Sequence, residues 1–130
     1  MTSLATSYWN HSPVVALTPT VDSTNDGKGV FQELNGQDSV FKDQVKYLGN
    51  VTRPDRIAEI LGKGLDRSLT EQGPTQVNIP RDFFNAYEKY QITKPVLPKP
   101  CAGNPKDIEE AVSLIKKANK PVILAGAGVG

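Results

Sequence analysis

Two short segments bounded by prolines constrain the fold more than any other feature of this sequence. Residues 14–18, Val-Val-Ala-Leu-Thr, lie between Pro13 and Pro19, and residues 75–79 end at Pro80. The first segment is continuously apolar, which is typical of a strand buried on both faces of a parallel sheet. The second is short, rich in β-formers and preceded by a Gly-Pro turn, so it predicts a second strand.

The region between these two strands contains a helical pattern. Thr52 offers a capping hydroxyl, Pro54 suits a first turn, and Asp55 places an acid at the third helical position. Small and apolar residues then recur on one helical face: Ile57, Ile60, Leu61, Gly64, Leu65 and Ser68. An order of strand, helix and strand predicts a right-handed parallel crossover in an α/β fold.

The pattern changes after residue 82. Three prolines within residues 94–100 exclude a helix or a central strand and favour an extended linker. Asn104 and Pro105 then open a second helix, with Ile108, Ala111, Val112, Ile115 and Ala118 on one face. Residues 121–125 predict another buried strand, followed by a glycine-rich turn. We therefore expect a piece of a larger α/β protein, with a small independent α/β domain as the alternative.

Composition excludes several classes of function. The chain has 15 Lys and Arg against 14 Asp and Glu, spread along its length, so we expect no nucleic-acid partner. No apolar run approaches the roughly 20 residues of a membrane helix. One cysteine and one histidine cannot form a closed zinc site. No secretory signal is visible, which favours a cytoplasmic protein.

Three segments carry a resemblance to a known family. They are residues 8–15 (Tyr-Trp-Asn-His-Ser-Pro-Val-Val), residues 29–33 (Gly-Val-Phe-Gln-Glu) and residues 73–82 (Gly-Pro-Thr-Gln-Val-Asn-Ile-Pro-Arg-Asp). In this order they resemble the thiamine-diphosphate-dependent enzymes of the acetohydroxyacid synthase type. The first and third segments, together with residues 40–45, look most like the sulfoacetaldehyde acetyltransferases of that group.

The resemblance implies a domain plan. Residues 1–82 correspond to the C-terminal part of a pyrimidine-binding domain with a parallel-sheet thiamine-diphosphate-binding fold. Residues 83–103 are a linker, and residues 104–130 contribute the first helix and strand of a middle α/β domain. The implied cofactors are thiamine diphosphate and Mg²⁺, whose activating glutamate and metal ligands lie outside this chain. A small-molecule substrate and a homo-oligomer, at least a dimer, are implied as partners.

The implied reaction converts sulfoacetaldehyde and phosphate to acetyl phosphate and sulfite. One alternative is another thiamine-diphosphate enzyme, such as an acetolactate synthase or a 2-oxoacid decarboxylase. The other is a non-catalytic α/β module for binding or dimerisation.

The resemblance places the loop after Gly29 near the cofactor. Phe31 and Gln32 are therefore the candidates for cofactor binding, because an aromatic wall and an amide can line such a cleft. No residue of this chain is assigned a catalytic role.

Three further residues are candidates for substrate contacts. His11 could act as a general acid or base, a common role of imidazole side chains, although its position before a strand favours a structural role. Glu33 is an acid in the same loop as Gln32, and hydrogen bonding within the loop is favoured for it. Arg81 could bind a sulfonate or phosphate, although an ion pair with Asp82 is favoured.

Overall fold

A computed structural model describes residues 2–89, 92, 97–99, 101–126 and 128–129. The chain divides into two compact units, Met1–Pro98 and Lys99–Gly130. Much of the predicted proline-rich segment, residues 94–96 and 100, lies outside the described residues, as do residues 127 and 130 of the glycine-rich turn. Among the described residues, no helix combines the length and the apolar character that crossing a membrane requires.

The first unit contains a three-stranded sheet in the order β1-β3-β2, formed by β1 (Val14–Thr20), β2 (Tyr47–Asn50) and β3 (Pro74–Pro80). Both outer strands run parallel to β3. Residues 74–79 of β3 are all buried, because strands flank them on both sides. The predicted α/β fold with parallel strands is confirmed.

The prediction that β1 is buried on both faces is wrong. Val14 is 39% exposed and Leu17 is 52% exposed. Within the described residues β1 pairs only with β3, so it is an edge strand and covers less of its apolar surface. Pro19 was expected to end the strand, but β1 continues to Thr20. An edge strand tolerates a residue without an N–H donor.

Helix α3 (Ile57–Thr70) packs against the sheet through the predicted face. Ile60, Gly64 and Ser68 are buried on it, and the core joins Ile60 to four other residues, Val51, Val77, Ile79 and Phe83. Gly64 allows close contact: a Cβ there would lie 3.1 Å from Val77 Cγ2. The Thr75 hydroxyl also donates a 3.0 Å hydrogen bond to the Gly64 carbonyl.

The predicted Thr52 cap is wrong. A 3₁₀ turn, Pro54–Arg56, precedes α3, and the residue before this turn is Arg53 rather than Thr52. Because Pro54 occupies the first position of the turn, the start lies one residue later than expected. The Arg53 guanidinium instead forms an ion pair with Asp55 at 2.7 Å.

Several elements of the first unit were not predicted from the sequence, among them the short helix Gln37–Phe41. Strand β2 and the 3₁₀ helix Arg81–Asn85 that follows β3 are two more. Phe83 of this helix is only 9% exposed and belongs to the hydrophobic core. The first residue of the predicted linker, Phe83, therefore belongs to the core, while the domain boundaries otherwise stay a prediction.

The second unit contains α4 (Pro105–Lys117), which begins as predicted. Asn104 Oδ1 accepts a 3.1 Å hydrogen bond from the Lys106 N–H, and two lysines occupy the last turn. The predicted strand over residues 121–125 is wrong: this segment is irregular, and Val122, Ile123 and Leu124 are 87–98% exposed. No strand lies beside it in the described part of the unit, so its backbone has no ladder to join.

Candidate functional site

The carboxyl ends of the three parallel strands meet at one edge of the sheet, where α/β proteins commonly bind ligands. Three segments surround this edge. The loop after β1 leads through residues 21–36 to helix α2 (Gln37–Phe41), and shorter segments follow β2 and β3. The clefts described below lie between these segments of the first unit.

A small cleft of about 220 Å³ brings together three of the predicted site residues, Phe31, Gln32 and Arg81. The Phe31 ring is 90% exposed, so one aromatic face is free to contact a ligand. Gln32 is also exposed and adopts a left-handed backbone conformation with φ 68°. The cleft therefore offers an aromatic surface and an amide side by side.

Arg81 does not pair with Asp82, and that prediction is wrong. Its guanidinium donates two hydrogen bonds to the Asp22 carboxylate, at 3.0 and 2.9 Å, and this partner raises the pKa of Arg81. Asp82 instead accepts hydrogen bonds from the Ser23 N–H at 2.8 Å and the Ser23 hydroxyl at 2.6 Å. The loop after β1 lies against the segment after β3. Arg81 and Asp82 therefore bind residues of that loop rather than each other.

Glu33 binds the backbone of its own loop. Its carboxylate accepts hydrogen bonds from the Val30 N–H at 3.0 Å and the Gly27 N–H at 2.6 Å. These two donors lower the pKa of Glu33 below its ordinary value. The favoured hydrogen-bonding role is confirmed, and Glu33 also lines a larger cleft beside the loop.

His11 lies apart from these residues. It is exposed, has φ 53° and donates its backbone N–H to the Tyr8 carbonyl at 3.4 Å, where the chain leaves α1 (Thr2–Trp9). It precedes β1, whose seven residues span about 20 Å at the usual rise per residue. The structure thus places His11 at the amino end of the sheet, and its role stays a prediction.

The larger cleft, of about 450 Å³, contains residues that sequence reasoning missed. Thr18, Asn78 and Asn50 occupy the same level of β1, β3 and β2, because Asn78 is in register with both others. Asn78 is 3% exposed, and its Oδ1 accepts hydrogen bonds from the Thr18 hydroxyl and from Gln37 Nε2. A polar layer therefore joins the three strands to α2 beneath the cleft.

Gln76 extends this layer into the sheet. Its Nε2 donates to Thr18 Oγ1 at 2.9 Å and to Asn78 Oδ1 at 2.7 Å, whereas its buried Oε1 has no partner among the described residues. The alternation of Gln76 and Asn78 with Val77 and Ile79 is the signal that could have revealed a polar face on β3.

The described side chains that line the two clefts include amides, hydroxyls, an aromatic ring, carboxylates and the Arg81 guanidinium, which binds Asp22. Among the described residues, no group of three or more His, Cys, Asp or Glu could hold a metal ion. Phe31 and Gln32 are both exposed in the small cleft, where their side chains could contact a ligand.

The chain is similar over nearly all of its length to curated enzymes. The sulfoacetaldehyde acetyltransferase of Alcaligenes xylosoxydans xylosoxydans is 45% identical over 129 residues, covering 99% of this chain and 21% of that enzyme. That of Castellaniella defragrans is 40% identical over 132 residues, with the same coverage of 99% and 21%. A probable acetolactate synthase large subunit of Methanocaldococcus jannaschii is 35% identical over 137 residues, covering 99% of this chain and 23% of that protein.

These similarities confirm the resemblance predicted from the three sequence segments. The chain spans about a fifth of the length of the curated relatives it matches. No family model matches it.

Proposed function

We propose that this chain is part of a thiamine-diphosphate-dependent sulfoacetaldehyde acetyltransferase, which converts sulfoacetaldehyde and phosphate to acetyl phosphate and sulfite. The proposal rests on a difference in sequence identity to two kinds of enzyme. Identity reaches 45% with a sulfoacetaldehyde acetyltransferase and 35% with an acetolactate synthase, each over 99% of this chain.

The residues at the small cleft fit a role in holding the cofactor. The exposed Phe31 ring supplies an apolar surface that excludes water, and the Gln32 amide can donate or accept a hydrogen bond. Glu33 fixes the loop that carries both residues. Thiamine diphosphate supplies the carbanion chemistry when bound. Its Mg²⁺ ligands and activating glutamate belong, in this proposal, to other parts of the enzyme.

The same proposal includes a homo-oligomer and a cytoplasmic location. In the family that the chain resembles, the cofactor lies between two subunits, so at least a dimer is needed for activity. The exposed position of Phe31 and Gln32 supports such an arrangement, because a cofactor and a second subunit could then cover them.

The test is an assay of the full-length protein with thiamine diphosphate and Mg²⁺. We expect sulfoacetaldehyde and phosphate to give equal amounts of sulfite and acetyl phosphate, and no acetyl phosphate when phosphate is omitted. Pyruvate, supplied instead of sulfoacetaldehyde, serves as the comparison substrate. Formation of acetolactate from pyruvate, with no sulfite from sulfoacetaldehyde, would replace this proposal with an acetolactate synthase.

A further inference from the structure

Three side chains beneath the larger cleft form a closed triangle of hydrogen bonds. Asn78 Nδ2 donates to Asp38 Oδ1 at 2.7 Å and to Asn50 Oδ1 at 2.8 Å. Asn50 Nδ2 donates to Asp38 Oδ2 at 2.6 Å, which closes the triangle. The three residues come from β3, β2 and α2, so the triangle joins the sheet to the helix.

The triangle requires a carboxylate. A side-chain amide has one donor atom and one acceptor atom, whereas an ionised carboxylate has two acceptors. Asn78 faces both neighbours with a single atom, Nδ2. If all three residues were amides in this arrangement, any orientation would leave one contact with two donors or two acceptors facing each other. Asp38 removes the conflict by accepting from both Asn78 and Asn50.

The triangle holds the end of the loop that carries Phe31 and Gln32. This loop leads directly into α2, a five-residue helix with no fully buried residue, so polar contacts are important for its placement. Gln37, the first residue of α2, adds a hydrogen bond from its Nε2 to Asn78 Oδ1 at 3.2 Å. Polar contacts to Asn78 and Asn50 therefore fix α2 on the sheet.

We infer that Asp38 is a positioning residue: through the triangle with Asn50 and Asn78, it fixes the loop that presents Phe31 and Gln32 to the cofactor. The inference rests on the proposed function for the identity of the ligand. The requirement for one carboxylate in the triangle rests on the geometry alone.

The same geometry predicts that a second substitution restores the hydrogen bonds that the first one breaks. Asp38→Asn makes three amides and breaks one contact, and Asn50→Asp places two carboxylates against each other. In the double variant, Asn50→Asp with Asp38→Asn, Asn78 again donates to two oxygens, and the amide introduced at position 38 donates to the carboxylate introduced at position 50. All three hydrogen bonds and the net charge are restored.

The experiment compares these variants in the full-length protein by two measurements. The first is amide hydrogen exchange of residues 27–41 without cofactor. We expect about tenfold faster exchange in each single variant, the effect of losing roughly one hydrogen bond, and near-native exchange in the double variant. The second is the KM for thiamine diphosphate, which should rise in the single variants and recover in the double variant, with kcat at saturating cofactor little changed.

The control is Ser68→Ala, at the opposite end of the sheet. Ser68 Oγ donates to the Gly73 carbonyl at 2.8 Å, so its loss lowers stability without touching the triangle. Exchange of residues 27–41 should then stay native. A double variant no better than Asp38→Asn, or native exchange in Asp38→Asn, would overturn the inference. Because exchange is measured without cofactor, it tests the triangle even if the proposed reaction is wrong.

Discussion

Gln32 combines a rare backbone conformation with an exposed amide. Its φ of 68° costs on the order of 1 kcal/mol or more for a residue other than glycine. Strain of this kind is often retained at functional sites, where the position of a side chain matters more than stability. Substitutions of Gln32 can therefore test whether its amide contacts the cofactor.

Two substitutions at this position separate function from structure. Gln32→Ala and Gln32→Gly both remove the amide and should lower the turnover of the full-length enzyme by about 10²-fold. Gln32→Gly should at the same time keep or raise the melting temperature, because glycine adopts positive φ without strain. Near-native turnover per folded molecule in Gln32→Gly would remove the cofactor-binding assignment.

Glu33 should make the loop sensitive to acid. Its pKa is lowered by the Val30 and Gly27 N–H donors, so its contribution to stability is present above the ordinary pKa of about 4.5. The contribution is lost as the pH falls through the lower, folded-state pKa. We expect Glu33→Gln to speed hydrogen exchange of residues 27–33 at neutral pH, because an amide can accept from only one of the two donors.

The measurement is the hydrogen-exchange rate of residues 27–33 in Glu33→Gln divided by the rate in the native protein, recorded as a function of pH. The ratio should shrink towards one only as the pH falls through the lowered, folded-state pKa of Glu33, because the native carboxylate then becomes neutral. A ratio that does not change with pH would contradict the role assigned to the ionised Glu33.

Sequence patterns identify candidate residues in a local motif, but they miss contacts between distant segments. Phe31 and Gln32 lie in a short loop segment that a local motif identifies. The partner of Arg81 was predicted wrongly because Asp22 is distant in sequence and meets it only when two loops cross. The triangle was missed for the same reason, since its members come from three elements.

At the scale of elements, the packing of α3 on β2 depends on Gly49. A Cβ at this position would lie 2.7 Å from Ile60 Cγ2 and 2.8 Å from Tyr47 Oη. Ile60 is buried in the core and has little room to move. The glycine therefore sets how closely helix and strand approach.

This contact gives a matched pair of substitutions. Gly49→Ala should lower the free energy of unfolding by about 1–3 kcal/mol, through overpacking. Gly62→Ala, in α3 with no atom within 4 Å of the new methyl group, should raise it by about 0.5–1 kcal/mol. Urea midpoints of the full-length proteins should rank Gly62→Ala above native and native above Gly49→Ala. The reverse order would show that this interface is not close-packed.

Local sequence patterns predicted the two long helices but failed for strand β2 and for residues 121–125. Helices α3 and α4 were predicted because their apolar periodicity runs over several turns. Strand β2 has four residues, including Gly49, and its pairing with β3 is decided by tertiary contacts. Residues 121–125 have the composition of a strand, but a strand forms only where a neighbour supplies hydrogen bonds.

At the scale of the whole molecule, both units expose apolar surface. Leu17 on the edge strand is 52% exposed, and α4 exposes Ile108, Val112 and Ile115 at 43–59%. Surfaces of this kind promote association when nothing covers them. The 130-residue polypeptide produced alone should therefore bind a hydrophobic dye and elute as a mixture of oligomers. A monomer that unfolds cooperatively would contradict this prediction.

The proposed function requires the full-length protein to act on sulfoacetaldehyde in preference to pyruvate. The most direct measurement is the ratio of kcat/KM for the two substrates in the full-length protein, with thiamine diphosphate, Mg²⁺ and phosphate present. Sulfite release measures the first reaction and acetolactate formation the second. We expect a ratio of at least about 10², a difference of roughly 2.7 kcal/mol in transition-state binding. A ratio below one would contradict it.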